Sequence, residues 1–354
     1  MSTIKVQNIQ HTGSSTNAIA LASDGTCTIN NTNRTNKNLI INGAMNVAQR
    51  GSSSTSEGYQ TIDRYYVGSG GTDEAQTQAQ VDVASGTTPY TLGFRKALRI
   101  TNGNQTSGAG TADFMYLKYT FEAQDIANSG WNYLSSSSFI TLSFYVKSSV
   151  AQSFKAYFHT RQGTEYQYPF ETGSLSADTW TKVTKTISGN SNLTFNSDNG
   201  LGLELYIWSF IGTDYTASSV TEDAWSTYNS SARMKDATST WYTTNDATLE
   251  FTGFQFEVGS VATDFEHRSF GQELALCQRY YQTGFAKVYN SNQPINVMSQ
   301  NFMPEMRAAP TITGEQFGSE TNAIWSSIEV TTSRACAFYK NGEICQRWKC
   351  DAEI

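Results

Sequence analysis

In residues 138–147, SFITLSFYVK, every second residue is apolar. Ile140, Leu142, Phe144 and Val146 fall on one side, and Thr141, Ser143, Tyr145 and Lys147 on the other. Side chains of an extended strand alternate between faces, so this period of two specifies a strand with one buried and one wet face. The scheme repeats with Phe154, Ala156 and Phe158 opposed by Lys155, Tyr157 and His159, and again with Met115, Leu117, Tyr119 and Phe121 in FMYLKYTF. GLELYIWSF (202–210) carries bulky residues on both faces, as a strand in the middle of a sandwich does. In LEFTGFQFEV the phase slips: Leu249 and Phe251 share one parity, Phe254, Phe256 and Val258 the other, with Gly253 at the break. A glycine at a phase change marks a β-bulge.

Composition agrees. Hydrophobic residues make up 38% and charged residues 16%, and the chain holds 19 Tyr, 19 Phe and 7 Trp. Aromatics and Thr suit a pleated, half-buried surface, whereas Ser, Asn and Gly suit turns, so many short strands with irregular connections are expected. The 354 residues allow one large domain or two to three modest ones. The expected fold is all-β: a jelly-roll β-sandwich with an N-terminal β segment, one short helix and a C-terminal β module. A barrel or an immunoglobulin-like sandwich stays open.

Three units follow from the pattern. Residues 1–36 hold short apolar clusters (Ile4, Val6, Ile9; Ile19, Leu21; Cys27, Ile29) between polar turns. That is two or three short strands with too little apolar area to fold alone, hence an attachment or oligomerisation segment. Residues 37–268 form the sandwich, and residues 269–354 a short helix plus the C-terminal module. In RSFGQELALCQRYYQ, Ser269 and Gln272 have capping-box spacing, and Leu274, Cys277 and Tyr281 recur at helical spacing with Leu276 and Tyr280 alongside. Near residue 341, ACAFYK-NG-EICQRW predicts a hairpin with Asn341-Gly342 in its loop, placing Phe338 opposite Cys345 and Cys336 opposite Arg347. That register disfavours a disulfide between Cys336 and Cys345. The five cysteines are odd in number and lack CxxC spacing, so they read as reduced, largely buried thiols.

Several function classes are set aside. A net charge of −7 gives no electrostatic footprint for nucleic acid. No apolar run approaches the roughly 18–20 residues of a membrane span, so no membrane insertion is expected. The first residues lack the basic stretch and apolar core of a secretory signal, which points to assembly in a cytoplasm. His11, His159 and His267 are far apart, and no GxSxG, HExxH or phosphate-binding glycine loop is present. For His267 a hydrogen bond fixing the start of the helix is expected. A polysaccharide depolymerase needs two carboxylates about 5–10 Å apart. Glu165, Glu171, Asp198, Glu204, Asp223, Asp246, Glu250 and Glu257 are candidates that spacing cannot pair. No catalytic residue is assigned.

Sugar binding has a clearer basis, because aromatic rings cover the CH-rich faces of sugars while amides and carboxylates bond the hydroxyls. The polar-aromatic loops offer Tyr166 and Tyr168 (with Phe170), Trp225 and Tyr228, and Trp241 and Tyr242. Each ring could instead fill the sandwich rim or a subunit contact. No cofactor is expected beyond a conceivable structural calcium at NSDNG (Asn196 to Gly200).

NLIINGAMNVAQRG, TIDRYYV, TLSFYVKSS, DTWTKVTKTISG and FTGFQFEVGSVATDFEHRSFGQELALCQRYYQ stand in an order that resembles a family of phage tail-fibre and carbohydrate-binding-like domains. PEMRAAPTIT and DAEI resemble that family's C-terminal module, and IKVQNIQ…AIALASDGT resembles fibre attachment segments of marine and cyanobacterial phages. The resemblance implies a jelly roll of the carbohydrate-binding-module type on a virion fibre that is usually trimeric. It supplies neither site nor ligand. The expectation is a homotrimeric tail-fibre subunit of the virion, assembled in the host bacterial cytoplasm. Residues 1–36 would join it to phage tail or adaptor proteins, and its surface would bind a host glycan or other receptor without catalysis. A purely architectural adaptor or decorating fibre, and a surface-polysaccharide depolymerase, are the alternatives.

Overall fold

The computed structural model describes residues 6, 8–9, 12, 19–21, 27–29, 36–288, 296–316, 327–330, 332–340 and 344–354. At the N-terminal end β1 (Asn8–Ile9), β2 (Ile19–Leu21) and β3 (Cys27–Ile29) form a small antiparallel sheet on the apolar clusters read from the sequence.

The sandwich contains β4 (Ser53–Ser54), β5 (Tyr65–Gly70), β6 (Thr77–Asp82), α1 (Thr88–Thr91), β7 (Lys96–Thr101), β8 (Phe114–Glu122), α2 (Ala123–Ala127), β9 (Phe139–Ser148) and β10 (Lys155–Thr160). It continues with β11 (Tyr166–Glu171), β12 (Thr181–Ser188), β13 (Leu201–Ile211), β14 (Ser226–Thr227) and β15 (Thr248–Val258). Two six-stranded sheets result, ordered β14-β11-β10-β13-β8-β5 and β12-β9-β15-β7-β6-β4, with every pairing antiparallel. The chain passes repeatedly between them, as in a jelly roll; neither sheet closes into a barrel.

Alternation placed the core correctly. Ile140, Leu142, Phe144 and Val146 are fully buried, facing Met115, Leu117, Tyr119 and Phe121 of β8 and Leu203, Leu205 and Ile207 of β13. Phe144 stacks on Phe254 at 4.8 Å, and Phe158 on Phe256 at 5.1 Å. Burying each such ring stabilises by roughly 1.5–3 kcal/mol. Gly253 sits at the expected bulge: the β15–β9 register shifts between Thr252 and Gln255, and its φ is +70°. That shift lets Phe251 and Phe254 share one core.

The wet face expected for β9 is a correction. Thr141 and Ser143 are buried beneath the segment that leaves β15, where Thr141 Oγ1 donates to Gly259 O at 2.8 Å. Strand alternation reports only which face meets the sandwich core, not what a later segment lays over the other.

α3 (Phe270–Gln278) begins with the predicted capping box of Ser269 and Gln272, and Cys277 is buried. Glu273 is buried as well, because its carboxylate accepts from Asn42 N and Arg268. His267 Nε2 donates to Leu92 O at 2.8 Å, tying the start of the helix to the turn after α1.

β16 (Tyr281–Val288), β17 (Asn296–Asn301), β18 (Thr311–Gln316), β19 (Ser327–Val330), β20 (Ala335–Lys340) and β21 (Ile344–Asp351) build the C-terminal module as two three-stranded sheets, β16-β21-β18 and β17-β20-β19. This overturns the hairpin. β20 and β21 are the middle strands of different sheets, each with both edges taken, and residues 341–343 lie outside the described ones. Cys336 therefore faces Gln300 and Val330 across its sheet, and its thiol meets that of Cys350 between the sheets. The core of Phe302, Met306, Cys336, Trp348, Cys350 and Ala352 is what the two sheets share. A two-residue turn signal reports a tight reversal but not whether the reversal stays within one sheet. Cys277, Cys336 and Cys350 are free, buried thiols. No helix among the described residues is long and apolar enough to cross a membrane.

Candidate functional site

With Leu203, Leu205 and Ile207 turned to the core, Glu204, Tyr206 and Trp208 of β13 must face outward. The same parity turns out Phe114, Tyr116 and Lys118 of β8, and Tyr157 and His159 of β10. These three strands are neighbours, so their outward aromatics form one patch. Tyr157 lies directly opposite Tyr206, with ring centroids 5.0 Å apart and planes 6° from parallel. Trp208 follows Tyr206 at 5.7 Å and 12°. Tyr116 lies 5.2 Å from Tyr206 and 5.0 Å from Trp208, and Tyr66 of β5 stacks on Tyr116 at 6.0 Å. Gly68, opposite Tyr116, makes room for that ring: a Cβ there would meet Tyr116 Cζ at 2.6 Å.

The connection from β13 to β15 folds over one end of the patch. Met234 is buried on Tyr157 and Trp208, and Tyr215, Tyr228 and Arg233 form a wall. What stays open is a cleft of about 200 Å³ lined by Tyr116, His159, Arg161, Tyr206, Trp208 and Arg233, among others. That is below the roughly 300–1,000 Å³ of pockets that enclose a drug-sized ligand, so it suits one ring of a longer chain lying over the sheet.

Polar groups line one side. His159 stacks on Tyr228 at 3.9 Å, and its Nε2 lies 2.9 Å from Glu165 Oε2. Arg161 pairs with Glu165 at 3.2 Å and Glu204 at 3.5 Å, and Lys118 with Glu204 at 3.1 Å. Burial, together with the Arg161 charge, lowers the His159 pKa, outweighing the two carboxylates. The neutral ring that results donates from Nε2 to Glu165 and leaves Nδ1 to accept from Arg161 at 3.5 Å. The arrangement presents aromatic carbon beside fixed donors and acceptors, the chemistry that recognises a sugar's CH face and hydroxyls.

Of the six aromatics chosen from loops, Tyr228 alone lines this cleft. Trp241 and Tyr242 are fully buried in the main core; Trp241 Nε1 donates to Thr248 O at 3.0 Å, and Tyr242 stacks on Phe210 at 4.4 Å. Their rings have no free face for a ligand. Tyr168 is buried under Trp225, whose Nε1 donates to Ser188 O at 2.8 Å, and Tyr166 packs partly buried against the same core. The cleft rings themselves were visible as the outward parity of three strands. Seeing them as one patch required knowing that β8, β13 and β10 are adjacent.

Most of the candidate carboxylates have structural partners. Glu250 pairs with Arg99 and Lys147, Glu171 with Lys155, Asp223 with Lys185, and Glu257 holds Thr263. At the proposed calcium position Asp198 Oδ1 accepts from Gly200 N and Asn199 donates to Arg307 O. No cluster of three or more metal-ligating side chains occurs among the described residues. His11 lies outside them.

A larger groove of about 680 Å³ runs beside α3, between Phe265, Ala275, Leu276 and Pro304. Its polar groups already serve the fold: Glu266 accepts from the amides of Asn36 and Asn38, and Arg279 pairs with Glu122 at 2.9 Å.

No protein-family model matches the chain, and no curated protein matches it. Among solved structures it is similar to the enzymatically active domain of tailspike protein 4 of bacteriophage CBA120, at 9% identity and a TM-score of 0.33, over 63% of this chain and 21% of that one. It is similar to the family 11 carbohydrate-binding module from Clostridium thermocellum at 8% identity and a TM-score of 0.26, over 61% of this chain and 98% of that one. It is also similar to the tripod from the baseplate of bacteriophage Tuc2009, at 11% identity and a TM-score of 0.28, over 95% of this chain and 96% of that one. The chain thus spans about a fifth of the length of the tailspike domain.

Proposed function

We propose that this chain is a phage tail-fibre subunit that holds a host-surface glycan in the aromatic cleft of its jelly roll, without catalysis. The observation that carries the binding half is the pair of half-buried rings Tyr116 and Tyr206, seated on the buried Tyr157 and Trp208 and bordered by Arg161 and Glu165, with His159 and Glu204 buried behind them. The virion half rests on the strings at 38–51, 61–67 and 251–282 and the family they resemble. In this reading residues 1–36 join the chain to a tail or adaptor protein, and three copies assemble. Linking sites in this way raises avidity about 10²–10⁴-fold over a single weak site.

The test is adsorption competition. Host cells are incubated with the purified chain, and attachment of the parent phage is timed. Dose-dependent slowing, absent with non-host cells and lost in Tyr206→Ala, is expected. No slowing by a folded trimer would favour a purely architectural adaptor or decorating fibre.

One observation favours a second reading, a polysaccharide hydrolase: Glu165 and Glu204 approach opposite nitrogens of His159, at 2.9 and 3.8 Å. Against it, both carboxylates are held by Arg161, and Glu204 also by Lys118. Reducing ends that accumulate from host capsule or lipopolysaccharide, and cease in Glu204→Gln, would establish the hydrolase.

A further inference from the structure

Charges around the cleft are matched with one exception. Arg161 is balanced by Glu165 and Glu204, and Lys118 by Glu204. Beyond the rim, Lys155 and Lys235 share Glu222, and Lys185 has Asp223. Arg233 lines the cleft, yet it forms no ion pair among the described residues. It is held in place all the same. Its Nε donates to Ser230 O at 3.1 Å, its backbone N–H to Tyr215 O at 2.9 Å, and its guanidinium lies 4.8 Å from the Tyr215 ring centre and 5.8 Å from that of Trp208. With Nε spent on Ser230, the two terminal nitrogens remain for a ligand. A planar guanidinium fixed over rings is pre-organised for bidentate contact with a carboxylate or sulfate. A neutral sugar leaves that charge unanswered on a half-buried wall.

We propose that the cleft selects acidic saccharides, with Arg233 taking the carboxylate of a uronic or sialic residue, or a sulfate ester, while the ring lies against the half-buried Tyr116 and Tyr206. This rests on the reading of the cleft as a glycan site. The chain's net charge of −7 gives no long-range attraction for such a ligand, so selection must come from this local contact.

Isothermal titration calorimetry on the full chain tests it, using pairs that differ only in the anion: oligogalacturonate and its methyl ester, sialyllactose and lactose, and a sulfated galactan oligosaccharide and its desulfated form. In at least one pair the acidic member should bind about tenfold tighter or more, as a charge-assisted hydrogen bond implies. Arg233→Gln should erase that preference, bringing the acidic member to the affinity of its neutral counterpart; Arg233→Lys should keep part of it. Thermal melts of both variants confirm that the 213–237 connection stays folded. Equal binding within every pair, or a preference that survives Arg233→Gln, overturns the acidic-ligand proposal and leaves the glycan cleft standing. No binding by any member overturns both.

Discussion

Gly253 is the residue on which β15, one of the two longest strands described, turns its side chains over. Its φ of +70° lies where a Cβ is costly, and a Cβ there would meet Phe94 Cζ at 2.7 Å. Gly253→Ala should therefore lower stability by about 2–4 kcal/mol, read by urea unfolding. A loss below about 1 kcal/mol would mean the bulge relaxes without strain. The sequence showed this residue clearly because a phase slip needs only two parities and a glycine. It showed the six loop aromatics poorly. Trp241 and Trp225 both sit in polar stretches, yet one is fully buried and the other only partly so. Loop composition does not say which loops tuck under the sandwich. Trp241→Ala should accordingly cost about 3–5 kcal/mol and leave ligand affinity of the folded fraction intact. Tyr206→Ala, on a half-buried ring, should do the reverse. Denaturant melts paired with calorimetric binding separate the two.

Elements whose signals are local were the readable ones. The capping box of α3 needs only two side chains three residues apart, and both reciprocal hydrogen bonds are present: Gln272 N to Ser269 Oγ at 3.4 Å and Ser269 N to Gln272 Oε1 at 3.1 Å. Ser269→Ala should cost about 1 kcal/mol in thermal or chemical unfolding. The strings that carry the family resemblance supply much of the mortar between elements. Asn38 bonds the backbone of Phe254 and Phe256, Asn42 bonds Val47 and Asp63, and Arg279 and Tyr280 close on Glu122. These groups are specific because a buried amide or guanidinium must find its partners. None of them lines the aromatic cleft, which is built from plain alternating strands. The same locality explains the hairpin error: Asn341-Gly342 has no information about the partners that β20 and β21 find in separate sheets.

Across the whole molecule the jelly roll and the C-terminal module meet through buried charge. Arg50 pairs with Asp63 at 3.6 Å, Asp351 at 3.0 Å and Glu353 at 3.5 Å, and Arg64, stacked 3.4 Å from the Tyr280 ring centre, pairs with Glu353. Nothing in the sequence joins residues 50–64 to 351–353, so this junction was not readable. It makes a pH prediction. Burial pushes the Asp63 carboxyl up to about 6 despite Arg50, and burial beside Glu122 pushes Asp125 up to about 6 as well. Both acids bind protons more tightly folded than unfolded, where an aspartate titrates near 3.9. The stability they contribute is full below about pH 4 and is lost as pH rises to about 6, by at most about 3 kcal/mol each. His159 works the other way: its lowered pKa contributes stability above about pH 6.5 that is lost on acidification. Asp63→Asn isolates the first effect. Its amide stands in for the protonated acid, so the variant should be at least as stable at neutral pH, and its urea midpoint should fall less steeply between pH 4 and 6 than that of the unmodified chain. Parallel slopes in the two proteins would mean that Asp63 stays ionised throughout and that Arg50, not burial, governs it.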